Sequence, residues 1–185
     1  MTETAYRVRL AEVADVPALE ALIASSIRGL GAAHYTATQL DAALGRAFGV
    51  DNQLIADRCY FAVDAGGKIV ACGGWSYRKT LFGADGRATR DSTLLNPATD
   101  AARIRAFFVD PEWSRRGIGR RLLALCEAAA MEAGYTRVEL MATLSGVPLY
   151  EACGFIAHPP EAHAVADGVE LQFVPMSKTL LPVAP

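Results

Sequence analysis

The sequence has no surplus of charge of either sign. Its 18 lysines and arginines stand against 20 aspartates and glutamates, a formal net charge of −2. A general nucleic-acid or membrane-surface binder needs a broad basic face that this balance does not supply. Cysteine is sparse: Cys59, Cys72, Cys126 and Cys153 are scattered, and none stands at the C-x-x-C spacing of a zinc or redox site. They are expected to be reduced, which fits a cytoplasmic protein. The 3 histidines are too dispersed to suggest a metal site. No apolar run is long enough to span a bilayer, and the first residues contain no signal-type hydrophobic region. Internal repeats are missing. So are two familiar phosphate-binding strings. No G-x-x-x-x-G-K-[ST] occurs, and Gly117-Ile118-Gly119 is followed by Leu122 where a dinucleotide fingerprint needs a third glycine.

What is present suits a single globular domain covering residues 1–185. Hydrophobic residues make up 52% and charged residues 21%, enough apolar material for a sizeable core. Residues 6–9 alternate as a strand does. Asp15 offers an N-cap, with Pro17 in the first turn. Leu19, Leu22, Ile23, Ser26, Ile27 and Leu30 then recur at helical spacing until Gly29-Leu30-Gly31, where the helix is expected to stop. Thr36 and Gln39 form a capping box for a second helix reaching about Phe48. Two strands follow, 60–63 and 69–75, joined around Gly66-Gly67. Residues 78–100 lack periodicity and read as a long insertion, a length at which loops tend to be functional. A largely apolar strand at 103–109, a helix to about Gly134 and a strand at 137–142 come next. A short helix capped by Thr143 or Ser145 leads to strands at 155–158 and 169–176. A loop holding Pro159-Pro160 and Asp167-Gly168 separates those last two, and the tail from Leu180 to Pro185 is expected to be loose.

The most informative stretch is 107–123. An apolar strand ends at Pro111, a short basic turn containing Gly117 and Gly119 follows, and a helix with an apolar stripe opens. A helix start exposes unpaired N–H groups and the positive end of the helix dipole. Glycines let a phosphate approach the main chain closely, and Arg115, Arg116, Arg120 and Arg121 add mobile positive charge. The turn reads as a cradle for a pyrophosphate.

This turn resembles the acyl-CoA loop of the GNAT acetyltransferase superfamily, [QR]-x-x-G-x-[GA] after a strand. Ser114 stands where that pattern has Gln or Arg, and the rest fits. Downstream, Leu149-Tyr150-Glu151-Ala152-Cys153-Gly154-Phe155 resembles the family's "YE..GF" string, in the right order with a helix and a strand between. The element order is similar over nearly the whole chain. The resemblance implies an α/β (α+β) fold with a mixed, mostly antiparallel twisted sheet flanked by helices. It implies acetyl-CoA as cosubstrate and a primary amine, on a small molecule or a peptide, as acceptor. Homodimers are frequent in that family, so a homodimer is one arrangement the resemblance allows; no nucleic acid, membrane or metal is expected, on the charge and histidine pattern above.

Residue by residue, the resemblance puts the pantetheine arm against Phe107, Phe108 and Val109, in a gap between two strands. The pyrophosphate falls on amides of Arg115, Arg116, Gly117, Ile118, Gly119 and Arg120, and Thr143 touches the arm. Tyr150 matches the phenol that serves the departing sulfur. Ionised at ~10, it is protonated near neutrality and matched to a thiolate of ~8.5. A lysine-like amine with pKa ~10.4 costs about 4 to 5 kcal/mol to deprotonate at neutral pH. The family often sets a Glu near the central strand for that purpose. This strand carries Arg103 and Arg105 and no acid, while Asp110 and Glu112 lie just past it, so the sequence names no base. Tyr35, beside His34, and Trp75, with Tyr77 and Phe82, are candidates for the acceptor site. Cys153 invites an acyl-cysteine route, but its place after a short helix fits packing. The absence of a base also fits a non-catalytic acyl-CoA sensor of the same fold, and a transfer-RNA-directed enzyme is disfavoured by the net charge.

Overall fold

The computed structural model describes residues 6–87 and 90–180; of the tail expected to be loose only Leu180 lies among them, and it is buried with its amide donating to Thr136 O at 2.8 Å. Strand β1 (Arg7–Leu10) leads through a 3₁₀ turn to helix α1 (Val16–Gly31), then α2 (Ala37–Ala43) and α3 (Asn52–Ala56). Strands β2 (Tyr60–Ala65) and β3 (Lys68–Ser76) precede the long loop. Beyond it come β4 (Ala102–Val109), a 3₁₀ turn (Pro111–Trp113), α4 (Ile118–Glu132), β5 (Arg137–Thr143) and α5 (Val147–Glu151). Strands β6 (Ile156–Ala157), β7 (Glu161–Ala166) and β8 (Val169–Thr179) finish the chain. The sheet runs β1-β2-β3-β4-β5-β8-β6, with β7 also pairing β8. Among the strands of the described residues, only β4 and β5 pair in parallel. This is the mixed, mostly antiparallel sheet that the sequence led us to expect.

Helices cover both faces. The α1 stripe of Leu19, Leu22, Ile23 and Ile27 joins α2 and α3 over one face of β2, β3 and β8. Ile118 and Leu122 of α4 pack on the other, against Val63, Val70 and Ala71. Strand β3 is therefore buried from Ile69 to Ser76, which accounts for its unbroken run of apolar and small residues.

Several local expectations change. Helix α1 does end at Gly31, within the expected Gly29-Leu30-Gly31 break, but it runs on through Gly29, where a Cβ would come within 2.4 Å of Pro111 Cγ. The glycine there permits close approach of the 3₁₀ turn and does not end the helix. Asp15 holds the N-cap position of α1, but its carboxylate turns back to accept from the Glu12 amide (2.8 Å) and from Arg9 (2.6 Å). The Thr36–Gln39 capping box forms as expected. Helix α2 nevertheless ends at Ala43, because Leu44 is extended and Gly45 adopts φ +75°. Asp51 then caps the separate helix α3 by accepting from the Gln53 amide at 3.1 Å. The stretch before Asp167-Gly168, expected as loop, is β7, with the Asp-Gly pair forming a two-residue hairpin turn to β8. Helix α5 starts at Gly146 with no side-chain cap, and the hydroxyls of Thr143 and Ser145 bond each other instead (3.2 Å).

The long loop is pinned by buried charge. Asp51, fully inaccessible, meets Arg90 Nη2 at 2.6 Å and Arg105 Nη1 at 2.6 Å. The Arg105 contact is close but poorly aligned for a hydrogen bond. Arg105 also donates to Gly83 O at 2.7 Å, and Arg78 forks onto Asp57 (2.6 and 2.8 Å). A buried charge stripped of its partner is far costlier than the pair is favourable. Asp51→Asn is therefore expected to destabilise the protein by about 3–5 kcal/mol, read as a lower urea midpoint at unchanged slope.

Candidate active site

Strands β4 and β5 pair only at Ala102↔Val138 and Arg103↔Glu139. An ion pair between Arg103 and Glu139 closes that end. Beyond it β4 continues to Val109 and β5 to Thr143 with no partner across the gap. The cause lies in β4. Residues Ala106 and Phe107 together oppose Gly73, since Cys72 pairs Phe108 and Gly74 pairs Arg105. Ala106 has φ +55°, a left-handed conformation that costs an L-residue roughly 1–2 kcal/mol and marks a β-bulge that bends the strand. The surroundings hold it there. The Tyr60 hydroxyl lies 3.3 Å from Ala106 O and 3.1 Å from Cys72 Sγ. Phe107 lies flat over Gly73, where a Cβ would meet its ring at 2.8 Å.

The gap is a narrow cavity of about 60 Å³, whose walls include Ala106, Phe107 and Phe108 on β4, Met141 and Thr143 on β5, and Tyr150. Tyr150 is 8% exposed; its ring stands edge-on to Phe107 (6.3 Å) and Phe155 (5.7 Å). Burial pushes its phenol above the ordinary value, with the Cys126 and Cys153 thiols adding to the shift. It stays an O–H donor through neutral and mildly alkaline pH.

At the far end of β4 the chain turns into α4. Asp110 anchors the turn, accepting from the Glu112 amide (3.0 Å) and from Lys68 (2.7 Å). The lysine holds its carboxyl below the ordinary range. Arg115 (φ +62°) and Gly117 (φ +78°) are both left-handed, the backbone pattern that gathers successive N–H groups into an anion-binding nest. Among the described residues, none of the amides of Arg115, Arg116, Gly117, Ile118, Gly119 and Arg120 donates a hydrogen bond. Six free donors at the start of a helix fit a diphosphate. No Cβ obstacle surrounds Gly117, whereas a Cβ on Gly119 would sit 3.0 Å from Leu149 Cδ2. Gly119 thus also lets α5, the bearer of Tyr150, approach α4.

Residues 88–180, half of the chain, match the family model of the acetyltransferase (GNAT) domain. The chain belongs to the GNAT acetyltransferase family. Solved structures agree in fold. A GCN5-related N-acetyltransferase from Rhodopseudomonas palustris superposes with a TM-score of 0.69 at 20% identity, covering 97% of this chain and 98% of that one. The PaiA N-acetyltransferase from Thermoplasma acidophilum, solved with coenzyme A, gives 0.65 at 13% identity over 95% of this chain and 99% of that one. A GNAT family acetyltransferase from Brucella melitensis, solved with acetyl-CoA, gives 0.57 at 14% identity over 99% and 93%. No curated protein matches the sequence.

Within this GNAT domain the residues singled out from sequence divide into two sets. Phe107, Phe108, Thr143 and Tyr150 line the gap, Val109 ends β4 beside it, and residues 115–120 form the turn. Arg116 leans back over the Trp113 ring (4.7 Å) and donates to Glu112 O. The two acceptor candidates lie elsewhere. Tyr35 is a buried tie whose hydroxyl donates to Gln172 O (2.7 Å) and accepts from the Leu144 amide (2.9 Å). Trp75 packs edge-on against Tyr77 and Tyr135. Neither lines the gap or the wider cavity beside it; of the aromatics considered, Phe82 lines both.

Three residues escaped the sequence reading. Ser26 in the α1 stripe is a buried hydroxyl that accepts the Val109 N–H at 3.2 Å; its one signal was polarity on an apolar face. Tyr60 looked like any strand aromatic, and Ala106 carries no mark of a bulge. Among the described residues, no cluster of His, Cys, Asp or Glu could hold a metal ion, and no helix is long and apolar enough to cross a membrane.

Burial also fixes the alkaline limit of the fold. It raises the phenols of Tyr60 and Tyr150 and lifts the Cys72 thiol to about 12. In the unfolded chain these groups ionise at ~10 for Tyr and ~8.5 for Cys. Above those values the unfolded state binds fewer protons than the folded one, so stability falls with rising pH. Urea unfolding is expected to show a lower midpoint at about pH 10 than at about pH 8.

Proposed function

We propose that this single domain transfers the acetyl group of acetyl-CoA to a primary amine by direct attack. The observation that carries the reading is the β4–β5 gap with six free amides at one end and a buried, protonated phenol on its wall. The amides of residues 115–120 would hold the pyrophosphate. The backbone of Phe107, Phe108 and Val109 would hold the pantetheine arm, with Thr143 beside it. At Val109 the arm would take the amide from Ser26. Acetyl-CoA supplies an acetyl group already activated as a thioester.

The chain's residues then have three tasks. The gap fixes the thioester in register with the amine, which supplies several kcal/mol of the barrier. Its walls are largely apolar and carry no acidic side chain, so an amine entering it loses hydration and its pKa falls. That offsets part of the deprotonation cost. Tyr150 Oη donates its proton to the sulfur as the C–S bond breaks and the C–N bond forms; the attacking nitrogen releases a proton to solvent, and the phenolate recovers one from solvent. Asp110 is a poor base here, since Lys68 stabilises its ionised form. Cys153 is a poor nucleophile, since burial raises its thiol and the thiolate is the reactive form.

Calorimetry with acetyl-CoA and a free-thiol assay over an amine panel test the proposal. Tyr150→Phe is expected to keep acetyl-CoA affinity while lowering kcat roughly a hundred- to ten-thousand-fold. Cys153→Ala is expected to leave turnover intact. Unchanged rates in Tyr150→Phe would remove the proton-donor role. Binding of acetyl-CoA without transfer to any amine would favour a sensor.

A further inference from the structure

A second, wider cavity of about 480 Å³ adjoins the gap of about 60 Å³, and Ala47 and Phe82 belong to the walls of both. The gap itself passes through the sheet. On its wall Phe107 and Tyr150 pack in the core under α4, whereas Ala106, Phe108, Met141 and Phe82 pack in the core under α1 and α2. On that second face the ring of Phe82 lies 5.2 Å from Phe173, which meets Phe48 edge-on at 6.0 Å. Toward the wider cavity it meets His163 edge-on at 4.9 Å and lies 3.6 Å from the Arg87 guanidinium. The backbone that carries this ring is held from several directions. Gly83 O accepts from Arg105 Nη2 (2.7 Å) and Arg90 Nη1 (3.3 Å), the two arginines that also contact the buried Asp51. The Ala84 amide donates to Arg46 O (2.6 Å) and the Asp85 amide to Val50 O (3.2 Å). The buried charge network, which has no part in the chemistry above, thus fixes one ring beside the gap.

We propose that Phe82 sets the acceptor specificity: it closes the second face of the gap and restricts transfer to primary amines on a slender, uncharged carbon skeleton. The inference rests on the acetyl-transfer reading above and names its substrate class. With the sulfur at Tyr150 on the α4 face, the amine reaches the thioester carbon from the α1 face, past Phe82. There the walls are the rings of Phe48, Phe82 and Phe173, with Ala47 and Met141. Arg105, the one charged residue of the wall among the described residues, has its Nη atoms on Asp51 and Gly83 O. A carboxylate or a second ammonium on the acceptor would lose its hydration against the rings, a cost that an alkyl chain does not meet. Bulk is limited because Phe82 separates this narrow space from the wider one beyond it. A branched or ring-bearing amine needs the space that the Phe82 side chain occupies.

The test is a thiol-release assay with acetyl-CoA over butylamine, cyclohexylamine, putrescine and γ-aminobutyrate, beside calorimetry of acetyl-CoA on the same proteins. Wild type is expected to prefer butylamine, with kcat/KM about tenfold or more above each of the others. In Phe82→Ala the two cavities join, and the preference for butylamine over cyclohexylamine should fall about tenfold. In Phe82→Leu, which keeps a smaller apolar wall, it should fall less, with acetyl-CoA still bound by both variants. A ring that only packed the loop would lower both amines alike and leave their ratio where it was, and that result overturns the inference. It is also overturned if cyclohexylamine, putrescine or γ-aminobutyrate serves wild type as well as butylamine, or if other amines are acetylated and butylamine is not. Absence of acetyl-CoA binding, or binding without transfer to any amine, would instead remove the acetyl-transfer reading, and this inference with it.

Discussion

One backbone residue decides how this sheet is used. Ala106 sits in a left-handed conformation in the middle of a central strand, and the extra residue it introduces turns β4 away from β5. Without that bend the two strands would continue their parallel ladder and the space between them would vanish. The strain of an L-residue at positive φ persists only where the surroundings over-determine it. Here the Tyr60 hydroxyl and the Cys72 thiol converge on the Ala106 carbonyl, and Gly73 leaves room for the Phe107 ring. The gap is built into the core and is not a surface accident.

The arginines divide according to burial. Arg103 and Arg105 lie on β4, one sealing the paired end of the gap against Glu139 and the other buried against Asp51. Both are structural cations whose charge is already committed. Those at the turn into α4 are exposed, and two of them lie over aromatic rings, Arg116 on Trp113 and Arg121 on Tyr6. A third group, Arg46 and Arg87, borders the wider cavity.

The turn with its free amides was legible in advance because its determinants are local. A strand, a positive-φ turn marked by Gly117 and a helix start occupy a dozen consecutive residues, and their chemistry depends on backbone geometry that the sequence enforces. Tyr150 was readable by its place in a second local string. Tyr35 and Trp75 were assigned by proximity to elements expected near the acceptor, and both turned out to satisfy the core. Tyr35 bonds main-chain groups at 144 and 172, partners more than a hundred positions away that no local pattern reveals. Strand β7 was hidden for a different reason. Its alternation is weak, and only its ladder with β8 makes it a strand.

The amino-acid order by itself determined helices α1, α4 and α5 and most strands, the capping box at Thr36, the glycine turn before α4 and the family resemblance, because each depends on contacts among neighbours in the chain. Tertiary structure alone decided the bulge at Ala106, the tie between Ser26 and Val109, the burial of Asp51 among arginines and the joining of Arg46, Arg87 and His163 around one cavity. Those depend on which distant segments the folded core brings within a few ångströms, and a single sequence does not encode that proximity in any local pattern.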